Sequence, residues 1–175
     1  MSQIKDDMIP YLKAEEIDEI VTRLAEEIEA DYKGQPIVLI GVLKGSLPFI
    51  ADLSRKINLA QRVDFVSLAS QKSKNGEYVI TINQDITTQI TDKHVIIVEE
   101  VIDAGRKLNF LKNRILSSDP ASLKIVTLLD KPARRAINIK ADYIGKTIED
   151  RYVVGYGLDD NGLGRNYPDI YYLRH

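Results

Sequence analysis

Along the 175-residue chain, short apolar runs of strand length alternate with segments whose apolar residues recur every three or four positions. Over residues 14–32, Ile17, Ile20, Val21, Leu24 and Ile28 repeat at helical spacing with acids on the other face, and Gly34 and Pro36 close the element. Residues 37–43 form a continuous apolar run of strand length. Ser46 is placed to cap the next helix, which carries Leu47, Ile50, Leu53 and Ile57 on one face. Residues 62–69 read as a second strand. Two alternating runs follow at 78–83 and 85–90, the second of which reads equally well as loop. Residues 70–77 are polar, contain Gly76 and have nothing to bury, which predicts a mobile loop of the kind that serves as an active-site lid. A strand at 95–98, a helix at 105–117 with Leu108, Leu111 and Ile115 inward, a buried strand at 123–129 and short strands at 141–145 and 152–156 complete the pattern. With no internal repeat or linker, residues 1–175 read as a single α/β domain whose central sheet is mainly parallel and flanked by helices.

The end of the strand at 95–98 carries the chemistry. An apolar run stops at Glu99 and Glu100, Val101 and Ile102 follow, and then come Asp103, Ala104 and Gly105 before the next helix. Carboxylates at the carboxyl end of a buried strand occupy the usual ligand crevice of an open α/β sheet. The turn after them supplies backbone N–H groups suited to phosphate. Adjacent positions on a strand point to opposite faces, so Glu99 and Glu100 are expected to serve different neighbours unless the strand ends there. Asp103 stands where it can cap the following helix and also face a ligand. Together these features describe a phosphorylated sugar held with a divalent cation. On spacing alone, an ordinary helix cap at Asp103 with two solvated glutamates remains open.

Composition narrows the field. Hydrophobic residues make up 44% and charged residues 29% of the chain, as in a folded protein. A formal net charge of −2 gives no electrostatic reason to expect nucleic acid. Cysteine is absent and only His94 and His175 are available, so a metal must be held by oxygen, which favours Mg²⁺. Residues 1–10 include Lys5, Asp6 and Asp7 and no apolar core, so no signal peptide is expected there. No apolar run reaches membrane-spanning length, and a cytoplasmic protein is expected.

The segment from Val95 to Lys107 resembles the phosphoribosyl pyrophosphate (PRPP) motif of the type I phosphoribosyltransferases, and the resemblance extends over roughly residues 8 to 173. Within that family it is most similar to the hypoxanthine-guanine phosphoribosyltransferases. The pattern includes Leu43-Lys44-Gly45-Ser46 after a strand, Leu128-Leu129-Asp130-Lys131-Pro132 after a later one, the run from Tyr152 to Asp159, and Arg165. The resemblance implies a mainly parallel sheet with a small hood built from the terminal segments. It implies that Glu99 and Glu100 hold the ribose hydroxyls directly or through Mg²⁺, with Asp103 as general base near purine N7. The backbone from Asp103 through Ala104, Gly105 and Arg106 to Lys107 would cradle the 5′-phosphate. Lys44, Gly45 and Arg165 would meet pyrophosphate, in a loop with a non-proline cis peptide between its first two residues. Lys131 would donate to the O6 of a 6-oxopurine, Tyr152 would stack on the base, and the Val153 backbone would read its edge. Asp159 would help hold a second Mg²⁺. Homodimers or homotetramers are the implied assemblies.

The chain departs from the family pattern at several places. Ala104 and Lys107 stand where threonines are usual, so two hydroxyl donors to the 5′-phosphate are missing; each is worth about 1.5–3 kcal/mol, part of which the Lys107 charge can offset. Glu100 replaces a commoner Asp. The lid's usual Ser-Tyr pair is Ser70-Gln71, which lacks the shielding ring. The function expected is purine salvage: hypoxanthine and guanine plus PRPP, giving IMP or GMP and pyrophosphate. A xanthine-preferring relative, or a nucleotide-binding regulatory protein with weak turnover, are the alternatives. No G-x-G-x-x-G follows any strand, which argues against a redox dinucleotide enzyme.

Overall fold

The computed structural model describes residues 8–174. The readings made above of Lys5, Asp6, Asp7 and His175 lie outside the described residues.

The continuous apolar runs become the centre of a six-stranded sheet because they are buried on both faces. Its strands are β2 (Ile37–Leu43), β3 (Gln61–Lys72), β4 (Tyr78–Gln84), β5 (His94–Ile102), β6 (Ser122–Asp130) and β7 (Tyr143–Thr147), in the order β4-β3-β2-β5-β6-β7. All neighbours are parallel except β3 and β4, which form an antiparallel hairpin at one edge. Helices α1 (Ala14–Asp31) and α2 (Leu47–Lys56) cover one face, and α3 (Arg106–Leu116) covers the other. Alternation along the strands divides the core. Ile37, Leu39, Ile96 and Val98 pack with α1 and α2, while Val38, Ile40, Val42, Val95 and Ile97 pack with Leu108, Leu111 and Ile115 of α3.

The hood is a second, antiparallel sheet of β1 (Met8–Leu12), β8 (Val153–Val154) and β9 (Ile170–Leu173), in the order β1-β9-β8. It therefore joins the first and last strands of the described residues, as the resemblance implied. Asp169 Oδ1 accepts the N–H of Ala14 at 2.8 Å, so the hood also caps the start of α1.

Three local expectations are corrected, and residues 85–90, open between strand and loop, are decided as loop. Residues 70–72 continue β3 rather than opening a loop, and only the turn at 73–77 leaves the ladder. Residues 85–90 are irregular, because Asp64 Oδ2 accepts the N–H groups of Thr87 (2.8 Å) and Thr88 (2.7 Å) and turns the chain away from β4. Ser46 caps nothing with its side chain; its hydroxyl donates back to the Val42 carbonyl at 2.7 Å. Leu47 is 53% exposed at the first turn of α2, and Phe49 takes its place in the core.

Candidate active site

The carboxyl ends of β2, β5 and β6 lead into Lys44 and Gly45, Glu99 to Lys107, and Lys131, while Tyr152, Val153, Asp159 and Arg165 come from the hood and its turns and Ser70 and Gln71 from β3. Strand β5 runs four residues past the expected end, to Ile102, and so carries Glu99 and Glu100 within it. Their alternation holds. Glu99 points toward the α3 face and lines a cavity of about 240 Å³ with Ser70, Asp103, Ala104, Gly105, Arg106 and Lys107. Glu100 points to the other face, against Gly45, and lines a cavity of about 510 Å³ with Asp103, Lys131, Tyr152, Val153 and Asp159. Asp103, Val101 and Arg134 line both cavities, so the two compartments meet there. A further cavity of about 410 Å³ lies at the opposite ends of β2 and β3, lined by Pro36, Arg62, Lys93 and neighbours but by no carboxylate.

Asp103 is not the helix cap. Gly105 holds that position with φ +79°, and a side chain there would strike Ile139. The turn is braced from the segment after β6, a feature without any sequence signal. Arg135 Nη1 donates to the carbonyls of Ile102 (2.9 Å) and Asp103, while Nη2 pairs with Asp130 in a largely buried ion pair. The Ala104 carbonyl accepts the N–H groups of Ala136 (3.1 Å) and Ile137 (3.2 Å). With its carbonyls so occupied, the turn presents the first-turn N–H groups of α3, which have no intrahelical partner, to the smaller cavity.

The loop from β2 to α2 contains the non-proline cis peptide, between Leu43 and Lys44. A Cβ on Gly45 would overlap the Glu100 carboxylate, and one on Gly157 would overlap the Gly45 carbonyl. The hood turn, the loop and β5 are thus packed backbone to side chain without room for a methyl group. Arg165 Nη2 pairs with Asp159 Oδ1 at 2.6 Å and Nη1 donates to the Gly157 carbonyl at 2.7 Å. Gly162 N–H donates to Asp159 Oδ2 at 2.8 Å. The side chains assigned to pyrophosphate and to a second metal therefore hold each other. Lys131 Nζ donates to the Arg151 carbonyl at 2.6 Å, and burial lowers its pKa against the opposing pull of Asp150 and Asp103. Tyr152 stands 45% exposed at the mouth of the larger cavity, its hydroxyl donating to the Asp159 carbonyl at 3.1 Å. Ser70 reaches the smaller cavity from β3, but Gln71 does not line it.

The family model for the phosphoribosyl transferase domain matches residues 11–161. The chain belongs to that family. The hypoxanthine-guanine phosphoribosyltransferase of Streptococcus pneumoniae is 41% identical over 161 residues, covering 91% of this chain and 89% of the relative. The enzyme of that name from Staphylococcus aureus is 40% identical over 162 residues, with the same coverage. Among solved structures, a hypoxanthine-guanine phosphoribosyltransferase from Bacillus anthracis superposes with a TM-score of 0.90 at 41% identity, covering 95% of this chain and 97% of its own. A hypoxanthine phosphoribosyltransferase from S. aureus gives 0.93 at 38% identity, covering 99% and 95%. The fold is that of the type I phosphoribosyltransferases.

The acids of this phosphoribosyltransferase fit a hard cation. Glu99 Oε2 and Glu100 Oε2 are buried and accept no hydrogen bond among the described residues. Among those residues no three carboxylate or imidazole groups converge, so Glu99, Glu100 and Asp159 do not form a ready-made cage. Mg²⁺ is commonly held by one or two carboxylates together with substrate phosphates and water, which suits this arrangement. Burial pushes the Glu99 carboxyl well above the usual carboxylate range, with Glu100 and Asp103 adding to the effect and Lys107 opposing it. Burial raises Glu100 to about 7, against the pull of Lys107 and Arg165.

Raised carboxyl pKa values mean that the folded, metal-free protein binds more protons than the unfolded chain between about pH 4.5, the usual carboxylate value, and pH 7. Stability from these acids is therefore present at low pH and lost as pH rises through that window, by on the order of 1–3 kcal/mol. A cation that needs both acids ionised reverses the trend. Thermal melts of the metal-free protein from pH 5 to 8 are expected to fall, with a stabilising increment from millimolar Mg²⁺ that grows with pH. In Glu100→Gln both the slope and the increment shrink. A metal-free profile that rises through pH 7, with the same slope in the variant, would contradict the assignment.

Proposed function

We propose that the protein transfers the phosphoribosyl group of PRPP to hypoxanthine or guanine, releasing pyrophosphate and giving IMP or GMP. The observation that carries this reading is the meeting of two cavities at Asp103. One is walled by a phosphate-type turn and Glu99. The other is walled by Lys131, the Val153 backbone and the Tyr152 ring. A sugar phosphate in the first and a base in the second would place the reacting atoms beside one carboxylate.

The transition state has oxocarbenium character, with positive charge on the sugar and growing negative charge on the departing pyrophosphate. In this reading Glu99 and Glu100 hold the ribose hydroxyls and would hold Mg²⁺, which would supply positive charge to the leaving group. Lys44, the Gly45 backbone and Arg165 would meet the pyrophosphate, and Asp159, the partner of Arg165, would be the carboxylate for a second cation. The amides of residues 103–107 and the Lys107 ammonium cradle the 5′-phosphate, and Asp103 takes the purine proton near N7. Lys131 selects for a carbonyl at C6, since an ammonium can donate but cannot accept from an amino group. The expected assembly is a homodimer or homotetramer in the cytoplasm, and the exposed Leu47 beside the Lys44–Ser46 loop is apolar surface that a subunit contact would cover.

Steady-state turnover with PRPP and Mg²⁺ tests the reading, with hypoxanthine, guanine, xanthine and adenine side by side. Conversion of hypoxanthine and guanine at a kcat/KM at least about 10²-fold above adenine is expected, because adenine leaves the half-buried Lys131 donor facing another donor. A preference for xanthine would move the assignment to a relative tuned for that base. Nucleotide binding without turnover of any base would instead favour a regulatory protein, for which Ala104 and Lys107 are the motivating residues.

A further inference from the structure

In the β3–β4 hairpin, Ser70 pairs with Ile80, Gln71 with Val79 and Lys72 with Tyr78. Strand alternation puts Ser70 and Tyr78 on one face and Gln71 on the other. Ser70 and Tyr78 accordingly line the phosphate-loop cavity together with Glu99 and Lys107. The Arg106 guanidinium, at the start of α3, stacks over the Tyr78 ring with 4.5 Å to its centroid. The same two residues also line a more open groove of about 560 Å³ between β4 and α3, floored by Phe110 and Ile137. The stacked pair is the wall between the groove and the phosphate-loop cavity. The turn that leads into Tyr78 is well built: Ser73 N–H donates to the Glu77 carbonyl at 2.8 Å and Gly76 N–H to the Ser73 carbonyl at 3.0 Å.

We propose that Tyr78 is a positioning and shielding residue of the phosphoribosyl site, supplying from β4 the aromatic ring that Gln71 lacks, and that its stack on Arg106 pins the hairpin over the phosphate loop. This rests on the phosphoribosyltransferase reading above. Its consequence is chemical. With the wall removed, water reaches C1 of PRPP: the water oxygen bonds to C1 as the C1–O bond to pyrophosphate breaks, and the proton leaves to solvent. The products are ribose 5-phosphate and pyrophosphate, formed without nucleotide.

The test compares the wild type, Tyr78→Ala and Tyr78→Phe by two readouts. Hydrogen exchange follows the amides of residues 70–80 with PRPP and Mg²⁺ present, with core amides of β2 and β5 as internal control. Steady-state assays follow pyrophosphate released per nucleotide formed. Tyr78→Ala is expected to raise both hairpin exchange and the uncoupled fraction about two- to five-fold, the range of an exposed cation–π contact, with core exchange unchanged. Tyr78→Phe is expected to keep both at wild-type levels, because the ring carries the contact. Tyr78 is 50% exposed, so its truncation leaves the core intact. An active wild type with unchanged exchange and coupling in Tyr78→Ala overturns the proposal alone, as does Tyr78→Phe behaving like Tyr78→Ala. A wild type that converts none of the four bases overturns the enzymatic reading and the shielding with it.

Discussion

Asp103→Asn is expected to lower kcat by about 10²–10⁴-fold while the KM values for PRPP and base change by less than about three-fold. The size of the effect follows from position. Asp103 lines both the phosphate-loop cavity and the larger cavity that Lys131 also lines, so a base proposed to sit there against Lys131 would have this carboxylate beside it. Asparagine keeps the shape and the polar contacts of the side chain but takes up no proton at neutral pH. Its backbone is held independently, by Arg135 donating to the Ile102 and Asp103 carbonyls and by Ala136 and Ile137 donating to Ala104. The turn should therefore persist in the variant, leaving ground-state binding largely intact and confining the loss to the step in which the purine proton leaves. Steady-state kinetics with hypoxanthine as acceptor, together with the Kd of PRPP in the absence of base, separate the two quantities. A kcat within about three-fold of wild type would remove Asp103 from proton transfer and leave it a structural residue of the turn.

The parts of this molecule that were legible in its sequence are those where burial dictates residue type. Residues 37–43, 95–98 and 123–129 read as strands because both faces of β2, β5 and β6 are covered, which demands continuous apolar side chains. The opposed directions of Glu99 and Glu100 followed from alternation alone, since β5 simply continues through them. Strands at 62–69 and 78–83 were legible as well, but the continuation of β3 through residues 70–72 into the hairpin was not, for the complementary reason. At the sheet edge, Gln71, Lys72 and Tyr78 are exposed on the surface and held by backbone pairing, which any polar residue allows. The same physics hid Tyr78, whose role depends on Arg106 stacking from another element. Arg135 was equally invisible, because its partners Ile102 and Asp103 lie 33 and 32 residues away. Asp103 suggested a cap from its place before a helix, but the left-handed Gly105 takes that position and leaves the carboxylate to the site. Sequence pattern thus located the acids and the turn, whereas the bracing that aims them came from contacts between distant segments.

Gly45→Ala should be nearly as damaging as loss of the base, although it removes no functional group. A Cβ at this position would overlap the Glu100 carboxylate, and the Gly45 carbonyl cannot retreat because Gly157 packs directly against it. The loop is fixed on its other side by Ser46, fully buried and donating to Val42 at 2.7 Å. Glu100 therefore has to leave its place, and with it go one carboxylate of the proposed cation site and the contact between the Lys44–Ser46 loop and β5. Loss of preorganised support for the departing charge is expected to cost about 10²–10³-fold in kcat/KM for PRPP. The overpacking itself should cost about 1–3 kcal/mol of stability, visible as a lowered Tm. A double-mutant cycle separates displacement of Glu100 from a general collapse of the loop. If the methyl group acts through the carboxylate, Gly45→Ala costs the full factor beside Glu100 but less than about three-fold beside Glu100→Ala, where the colliding atoms are gone. Equal losses on the two backgrounds would show that the loop, and not the placement of Glu100, is what the absent side chain at residue 45 protects.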